Sequence, residues 1–178
     1  MTDSPPPDAA DPASVPVLLK RRLQAEVIGP IHAEMVAVLG EEKAAAILDA
    51  AIRKAAIAEG ARYAETARQA AGATSMADFI ALYGNWMTGG ALEVEVLEAS
   101  DTRFDFDVVR CRYAETYREM GLGRIGHLLS CNRDGTFCQG YDPRIRMERD
   151  TTIMQGAPRC TFRYSWVEPV ASAGNESA

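Results

Sequence analysis

The stretch LEVEVLEASDTRFDFDVV, residues 92–109, decides the fold, because the spacing of apolar side chains changes here from helical to alternating. Alternation with period two is typical of strands that bury one face. It occurs on both sides of a short turn at residues 100–102 and therefore predicts a β-hairpin. The alternating apolar residues are Leu92, Val94 and Val96 before the turn, and Phe104, Phe106 and Val108 after it.

Upstream of the hairpin, apolar residues follow helical spacing in three segments. The first covers residues 17–39, and Pro30 is expected to kink or divide it because its ring clashes with the preceding turn. The second covers residues 41–71 and is rich in alanine, with a narrow apolar face that includes Ile57 and a solvated charged face that includes Glu59. The third begins at Ser75, whose side chain suits the first position of a helix.

Downstream of the hairpin, the pattern is mixed. Residues 113–120 and 124–130 predict short helical segments, and residues 132–143 predict a loop. Two further strands are expected at residues 145–152 and 160–166, where apolar and polar side chains alternate again. Four antiparallel strands with N-terminal helices packed on one side give an α+β fold.

Length and composition indicate one folded unit. The 178 residues suffice for one hydrophobic core and are few for two. Residues 1–14 and 169–178 are short of large apolar side chains, so we expect flexible tails on either side of a catalytic domain at residues 15–168.

The charge and hydropathy patterns exclude two classes of partner. The net charge of −6, without a basic stripe, argues against a nucleic-acid binder, since phosphate contacts need clustered Lys and Arg. The sequence contains no run of eighteen apolar residues, so a membrane span is not expected. The first sixteen residues lack the basic and apolar regions of a secretory signal, so a cytoplasmic location is expected.

Chemically reactive side chains concentrate in residues 107–162. In the reducing cytoplasm, clustered cysteines suggest catalysis, metal binding or simple burial rather than disulfides. The first half of the chain contains no cysteine. The segment contains Cys111, Cys131, Cys138, Cys160, His127 and Asp134.

Short motifs in the same region resemble the L-2-amino-thiazoline-4-carboxylic acid hydrolase family. They are C-x-Y-A-E-x-Y-x-E-x-G-L-G at residues 111–123, C-N-x-D at 131–134 and T-x-x-x-G-x-x-x-C-x-F at 152–162. The sequence GEEKA at residues 40–44 is also similar, and the resemblance extends over residues 20–166. It implies a hydrolase that opens a small nitrogen-containing ring, such as a thiazoline carboxylate.

The resemblance implies that the site contains Cys111, Cys131, Asp134 and Cys160, which occupy the motif positions. His127 is outside the motifs. It precedes Cys131 by four residues, so on an ideal helix the two side chains would lie on the same face. Cys138 is expected to have no role in the site.

Two mechanisms use these groups. A thiol is the most nucleophilic side chain near neutral pH, so Cys131 or Cys111 could attack the ring carbon while Asp134 or His127 moves protons. This route needs no cofactor. Alternatively, the three motif thiols with His127 or Asp134 could bind one Zn²⁺ and activate a water molecule.

Other interpretations remain open. Cys160 alternates in register with aromatic residues and could be a core side chain. The protein could instead be a small-molecule sensor or scaffold that performs no reaction. The Ala-rich helix could pack against a second copy of the chain to form a homo-oligomer. A carboxylate on a small cyclic substrate could be bound by arginines of the second half of the chain, namely Arg124, Arg144, Arg146 and Arg149.

Overall fold

A computed structural model describes residues 15–168 of the chain. The two expected tails, residues 1–14 and 169–178, are outside the described residues. The helices are α1 (Val17–Leu39), α2 (Glu41–Ala71), α3 (Met76–Met87), α4 (Arg112–Glu119) and α5 (Asn132–Tyr141). The strands are β1 (Leu92–Ala99), β2 (Arg103–Cys111), β3 (Ile145–Glu148) and β4 (Cys160–Trp166).

The four strands form one antiparallel sheet in the order β1-β2-β4-β3, and the helices, most of them N-terminal, pack against it. The predicted α+β fold is therefore confirmed. The third strand is shorter than expected, since it ends at Glu148. Helix α1 runs through Pro30 without dividing.

The hairpin contains an irregularity that the alternating pattern does not reveal. Leu92 pairs with Cys111 and Glu93 with Arg110, but Val94 pairs with Val108, so Val109 is an extra residue on β2. A β-bulge of this kind reverses which face the following side chains occupy. Cys111 consequently lies on the same face as Val108, although simple alternation assigns it to the opposite face.

The two faces of the sheet differ in character. The face toward the helices carries a cluster of stacked and edge-on aromatic rings that includes Tyr83, Phe106 and Phe162. On the opposite face Asp107 of β2 is buried beneath Arg159 and Arg163, which donate to its two carboxylate oxygens at 2.8 and 2.9 Å. Charged pairs thus cover the side of the sheet that has no helix.

Helix α2 packs closely against α5, and the contact depends on glycine. A Cβ atom at Gly60 would lie 2.2 Å from the carbonyl oxygen of Phe137, and one at Gly140 would lie 2.0 Å from that of Ile57. Only a residue without a Cβ permits this approach of two backbones. The Ala-rich helix therefore uses its small residues within the chain, where Ala56, Gly60 and Ala64 are buried.

Three expectations about this region are wrong. The predicted loop at residues 132–143 is helix α5, because packing against α2 outweighs the poor helix propensity of its Asn, Asp, Thr and Gly residues. The charged face of α2 is not wholly solvated, since Glu59 is only 16 % exposed. Ile57 on the expected apolar face is 38 % exposed, because the glycine contact turns a different face of α2 inward.

The glycine contact predicts a large effect of one methyl group. Replacing Gly140 with Ala should lower the free energy of unfolding by at least about 2 kcal/mol, because neither backbone can move without displacing a helix. Urea denaturation of the purified variant measures this change. The matched control is Gly84→Ala in α3, where a Cβ meets nothing within 4 Å. It should raise stability by about 0.5–1 kcal/mol. Equal stability of the two variants would contradict the packing described.

Candidate functional site

Three of the four cysteines line one cavity between the sheet and the helices. The cavity has a volume of about 60 Å³, which is enough for several water molecules. Its walls combine these thiols with aromatic and charged side chains. The residues are Arg21, Tyr83, Trp86, Leu92, Val108, Cys111, Tyr113, Ser130, Cys131, Arg133, Asp134, Arg149, Met154, Cys160 and Phe162.

The β-bulge and the start of α4 together position Cys111. The bulge directs its side chain to the cavity, and Cys111 is also the residue that precedes the first turn of α4. Burial raises the pKa of this thiol to about 11, while the backbone N–H groups of Ala114 and Tyr113 act in the opposite direction. Neither N–H makes a capping hydrogen bond to the sulfur, so these dipoles stabilise a thiolate from a distance.

Cys131 and Asp134 lie at the junction of a π-helical turn with α5. The turn covers His127–Cys131 and continues directly into the helix. Such turns recur at functional sites because they shift the side chains that follow. Burial, followed by the negative charge of Asp134, raises the pKa of the Cys131 thiol, so this group is protonated at neutral pH.

Asp134 forms a buried ion pair with Arg149. Nη1 of the guanidinium donates to the carboxylate at 2.5 Å, and Nη2 donates to the backbone oxygen of Cys131 at 2.9 Å. Burial nevertheless raises the pKa of Asp134 above its usual range, with Arg149 opposing the shift. A carboxyl group with a raised pKa can exchange a proton more readily near neutral pH.

Cys160 begins β4, opposite Val108 in the register of the sheet. Its sulfur accepts a hydrogen bond from the backbone N–H of Ile153 at 3.1 Å. Burial raises the pKa of this thiol too, and the Ile153 N–H limits the rise. The side chain is therefore buried beside the core, as alternation indicates, and also contacts the cavity.

The structure places the remaining sequence candidates elsewhere. His127 does not line the cavity and lies on the side of α2, near Asp49. Cys138 is buried within α5 and packs in the aromatic core. Of the four arginines considered for a carboxylate, only Arg149 lines the cavity, whereas Arg124 and Arg144 form ion pairs with Glu41 and Asp142.

Two buried arginines complete the site and were missed from the sequence. Nη2 of Arg21 donates to Oε2 of Glu59 at 2.7 Å, and Nη1 of Arg133 donates to the same oxygen at 3.2 Å. Arg21 and Arg133 are each less than 10 % exposed. The available signal was the spacing Val17, Arg21, Ala25, which puts an arginine on the inward face of α1.

The cavity wall carries more positive than negative charge. Arg21 and Arg133 share the single carboxylate of Glu59, while Arg149 has its own partner in Asp134. Burial and the neighbouring Arg21 lower the pKa of Arg133 to about 10, which still leaves it protonated at neutral pH. Its Nε donates to the Leu129 carbonyl and its Nη1 to Glu59, so that, within residues 15–168, Nη2 is left to donate to a ligand. The arrangement can bind an anion.

The zinc alternative has no matching group of ligands here. Among residues 15–168, no three His, Cys, Asp or Glu side chains are arranged so that they could hold a metal ion. The same described part of the chain contains no helix with the length and apolar character that a membrane crossing requires.

Two solved structures found by comparison have little sequence in common with this chain. The phenol-responsive sensory domain of the transcription activator PoxR, solved with phenol, has 17 % identity and a TM-score of 0.50 over 78 % of this chain and 72 % of that chain. A trafficking protein particle complex subunit 3 from Naegleria fowleri, covalently bound to palmitic acid, has 12 % identity and a TM-score of 0.49 over 86 % of this chain and 99 % of that one. These likenesses concern the fold alone.

Sequence comparison is more informative about identity. A search of curated proteins found no significant match. The family model described as L-2-amino-thiazoline-4-carboxylic acid hydrolase, however, matches residues 20–164, which is most of the chain and contains every cavity cysteine. The chain therefore belongs to the L-2-amino-thiazoline-4-carboxylic acid hydrolase family.

Proposed function

We propose that this protein is a hydrolase that opens a small nitrogen-containing ring carrying a carboxylate, by cleaving a non-peptide C–N or C–S bond. The observation that carries the proposal is the cavity itself, where three thiols and an acid–base group face an excess of guanidinium charge. The substrate in the family's description, a thiazoline carboxylate, has the matching chemistry.

The carboxylate of the substrate binds at Arg21 and Arg133. These two guanidinium groups share one counterion, so a second carboxylate would balance the buried charge. Hydrogen bonds between guanidinium and carboxylate groups are short and strong, and they fix the orientation of a ligand.

The ring of the substrate lies against the apolar part of the wall. Trp86, Tyr83 and Phe162 present aromatic surface to the cavity, which suits a flat heterocycle. With the carboxylate held at one end, the ring carbon between the heteroatoms would lie among the thiols at the other. A fixed approach of this kind lowers the entropic part of the barrier.

Cys111 is the nucleophile and Asp134 the acid–base group in this proposal. The thiol is protonated at rest, so its proton passes to the Asp134 carboxylate as sulfur bonds to the ring carbon. Asp134 then donates the proton to the departing ring nitrogen or sulfur. A water molecule displaces the enzyme sulfur in the second stage, which regenerates the thiol and leaves the ring opened by one water.

The choice of Cys111 rests on its surroundings. Its thiol has a pKa near 11 and faces the N-terminal end of α4, whose dipole favours a developing thiolate. Cys131 is the second candidate because it lies closest in sequence to Asp134, but that carboxylate disfavours its ionisation. Cys160 positions the loop before β4 through its hydrogen bond with Ile153.

The proposed reaction needs no cofactor. All four thiols are free, which suits a cytoplasmic location.

A sensor is the second candidate function, and a specific observation favours it. The fold is similar to that of a sensory domain solved with phenol, and aromatic side chains line the cavity. The raised thiol pKa values would also suit a site that binds without reacting. The fate of the ligand distinguishes the two, because a sensor releases it unchanged.

Single substitutions test the thiol mechanism. A screen of thiazolines, cyclic amidines, lactams and imides with mass spectrometry identifies the substrate by its gain of one water. On that substrate, folded Cys111→Ala should lose at least about 1,000-fold in kcat/KM and Asp134→Asn about 100-fold or more. Cys138→Ala is the control, since this buried thiol is outside the cavity, and it should retain turnover within about threefold. Full turnover by Cys111→Ala would exclude the assignment.

The charge of the cavity predicts selectivity for a carboxylate. A ring acid should bind at least about 100-fold more tightly than its neutral carboxamide, and Arg133→Met should reduce that preference at least tenfold. The variant should fold because Glu59 keeps Arg21 as a partner. Isothermal titration calorimetry of both ligands gives the ratio. Arg124→Met, at an exposed pair with Glu41, is the control and should change nothing. Equal affinity for acid and amide would contradict the anion site.

The pKa of Cys111 predicts the pH dependence of its alkylation. Burial raises this pKa from an ordinary value of 9.0 to about 11, so the thiolate fraction should grow tenfold per pH unit from pH 7 to about 10. The alkylation rate of a free cysteine begins to level off near pH 9, where most of its thiol starts to be ionised. Peptide mapping after brief treatment with iodoacetamide measures the rate at each pH while circular dichroism monitors folding. A plateau for Cys111 below pH 9 would show that the thiol is activated at rest.

A further inference from the structure

The outward face of α1 is apolar along most of its length. Five large side chains on this face are between 45 % and 79 % exposed, although soluble proteins rarely expose apolar residues in a continuous row. The inward face of the same helix carries Val17, Arg21 and Ala25 and packs within the chain. The exposed residues are Leu19, Leu23, Val27, Ile31 and Val38, which we call the α1 stripe.

One end of the α1 stripe borders a groove. The groove is shallow and open to solvent, and all of its lining residues belong to α1, namely Pro30, Ile31, Met35, Val38, Leu39 and Glu34. Only Glu34 among these is charged. A groove of this kind can receive apolar side chains from another helix.

Within residues 15–168, no other segment covers the stripe, since its five side chains are exposed there. Residues 1–14 and 169–178 contain no leucine, isoleucine or aromatic residue, and their only larger apolar side chains are Met1, Val170 and prolines. Burial of five exposed aliphatic side chains needs a surface of comparable apolar content. A second copy of this chain presents such a surface, because it carries the same stripe.

The sequence of α1 is complementary to itself about Val27. In an antiparallel pair of α1 helices centred on Val27, Leu23 faces Ile31 and Leu19 faces Met35 of the other copy. In the same antiparallel pair, Lys20 of one copy faces Glu34 of the other. Within residues 15–168, the ion pairs of α1 are formed by Arg21 and Arg22, so Lys20 and Glu34 keep their charges available.

We propose that the α1 stripe binds a second copy of this chain and forms a twofold-symmetric dimer with antiparallel α1 helices. Twofold interfaces are self-complementary, so each pairing occurs twice. Two Lys20–Glu34 ion pairs would flank an apolar centre at Val27, and Leu19 and Leu23 of each copy would enter the groove of the other. The dimer fixes the helix that carries Arg21 and does not depend on the proposed hydrolase reaction.

Light scattering after size-exclusion chromatography tests the proposal with the full chain. The wild type should have twice the chain mass of 19.3 kDa at micromolar concentration. Val27→Glu places two carboxylates on the twofold axis and should weaken the dimer at least about 100-fold. The control is Val96→Glu, which changes a valine 55 % exposed on β1 and should leave the dimer intact.

A charge exchange tests the antiparallel register. Lys20→Glu and Glu34→Lys should each weaken the dimer at least about tenfold, because each creates two pairs of like charges. The double variant restores both ion pairs and should recover the wild-type dissociation constant to within about threefold. A monomeric wild type, which would leave the stripe for a different protein, overturns the proposal. A dimer that tolerates Val27→Glu, or a double variant weaker than either single one, also overturns it, provided that circular dichroism shows the variants to be folded.

Discussion

Two buried guanidinium groups, those of Arg21 and Arg133, share one carboxylate, and this shortage of negative charge governs the cavity. Removing charges from water costs several kcal/mol per ion unless partners compensate, so an unbalanced buried cation favours an anionic ligand. The lowered pKa of Arg133 reflects the same imbalance, since burial and Arg21 both oppose its charge. The charge of the wall thus suits an anionic ligand.

The thiols reach this charged wall through backbone features rather than through a local sequence motif. A single extra residue, Val109, turns Cys111 to the inner face of β2. The contact of Gly60 and Gly140 brings α5 against α2 and so fixes Asp134 and Cys131 beside the sheet. Because the Cys111 sulfur and the Asp134 carboxylate come from different elements, small changes in helix packing would alter their separation, on which the proposed proton transfer depends.

The sequence was sufficient for the architecture, because period-two alternation of residue type marks both Leu92–Ala99 and Arg103–Cys111 as strands. Burial itself does not alternate along β2, since Asp105 and Asp107 are buried too. The motifs in the second half of the chain also contain four side chains that line one cavity, namely Cys111, Cys131, Asp134 and Cys160. Arg21 and Arg133 were not predicted because their partner, Glu59, is far from both in the chain. An ion pair between distant helices leaves no local sequence pattern. Helix α5 was missed because its stability comes from tertiary packing, which overrides propensity. The bulge at Val109 was missed because an inserted residue looks like continued alternation until its partner strand is known.

The two functions that fit this cavity differ in one respect, which is whether water is added to the ligand. The most direct measurement is incubation of the purified protein with 2-amino-thiazoline-4-carboxylate in water enriched in oxygen-18, followed by mass spectrometry of the small molecules. The account predicts a ring-opened product that contains one oxygen-18 atom and forms in proportion to enzyme concentration. Recovery of the intact thiazoline, bound and released without incorporation of oxygen-18, would contradict hydrolysis and leave a binding domain.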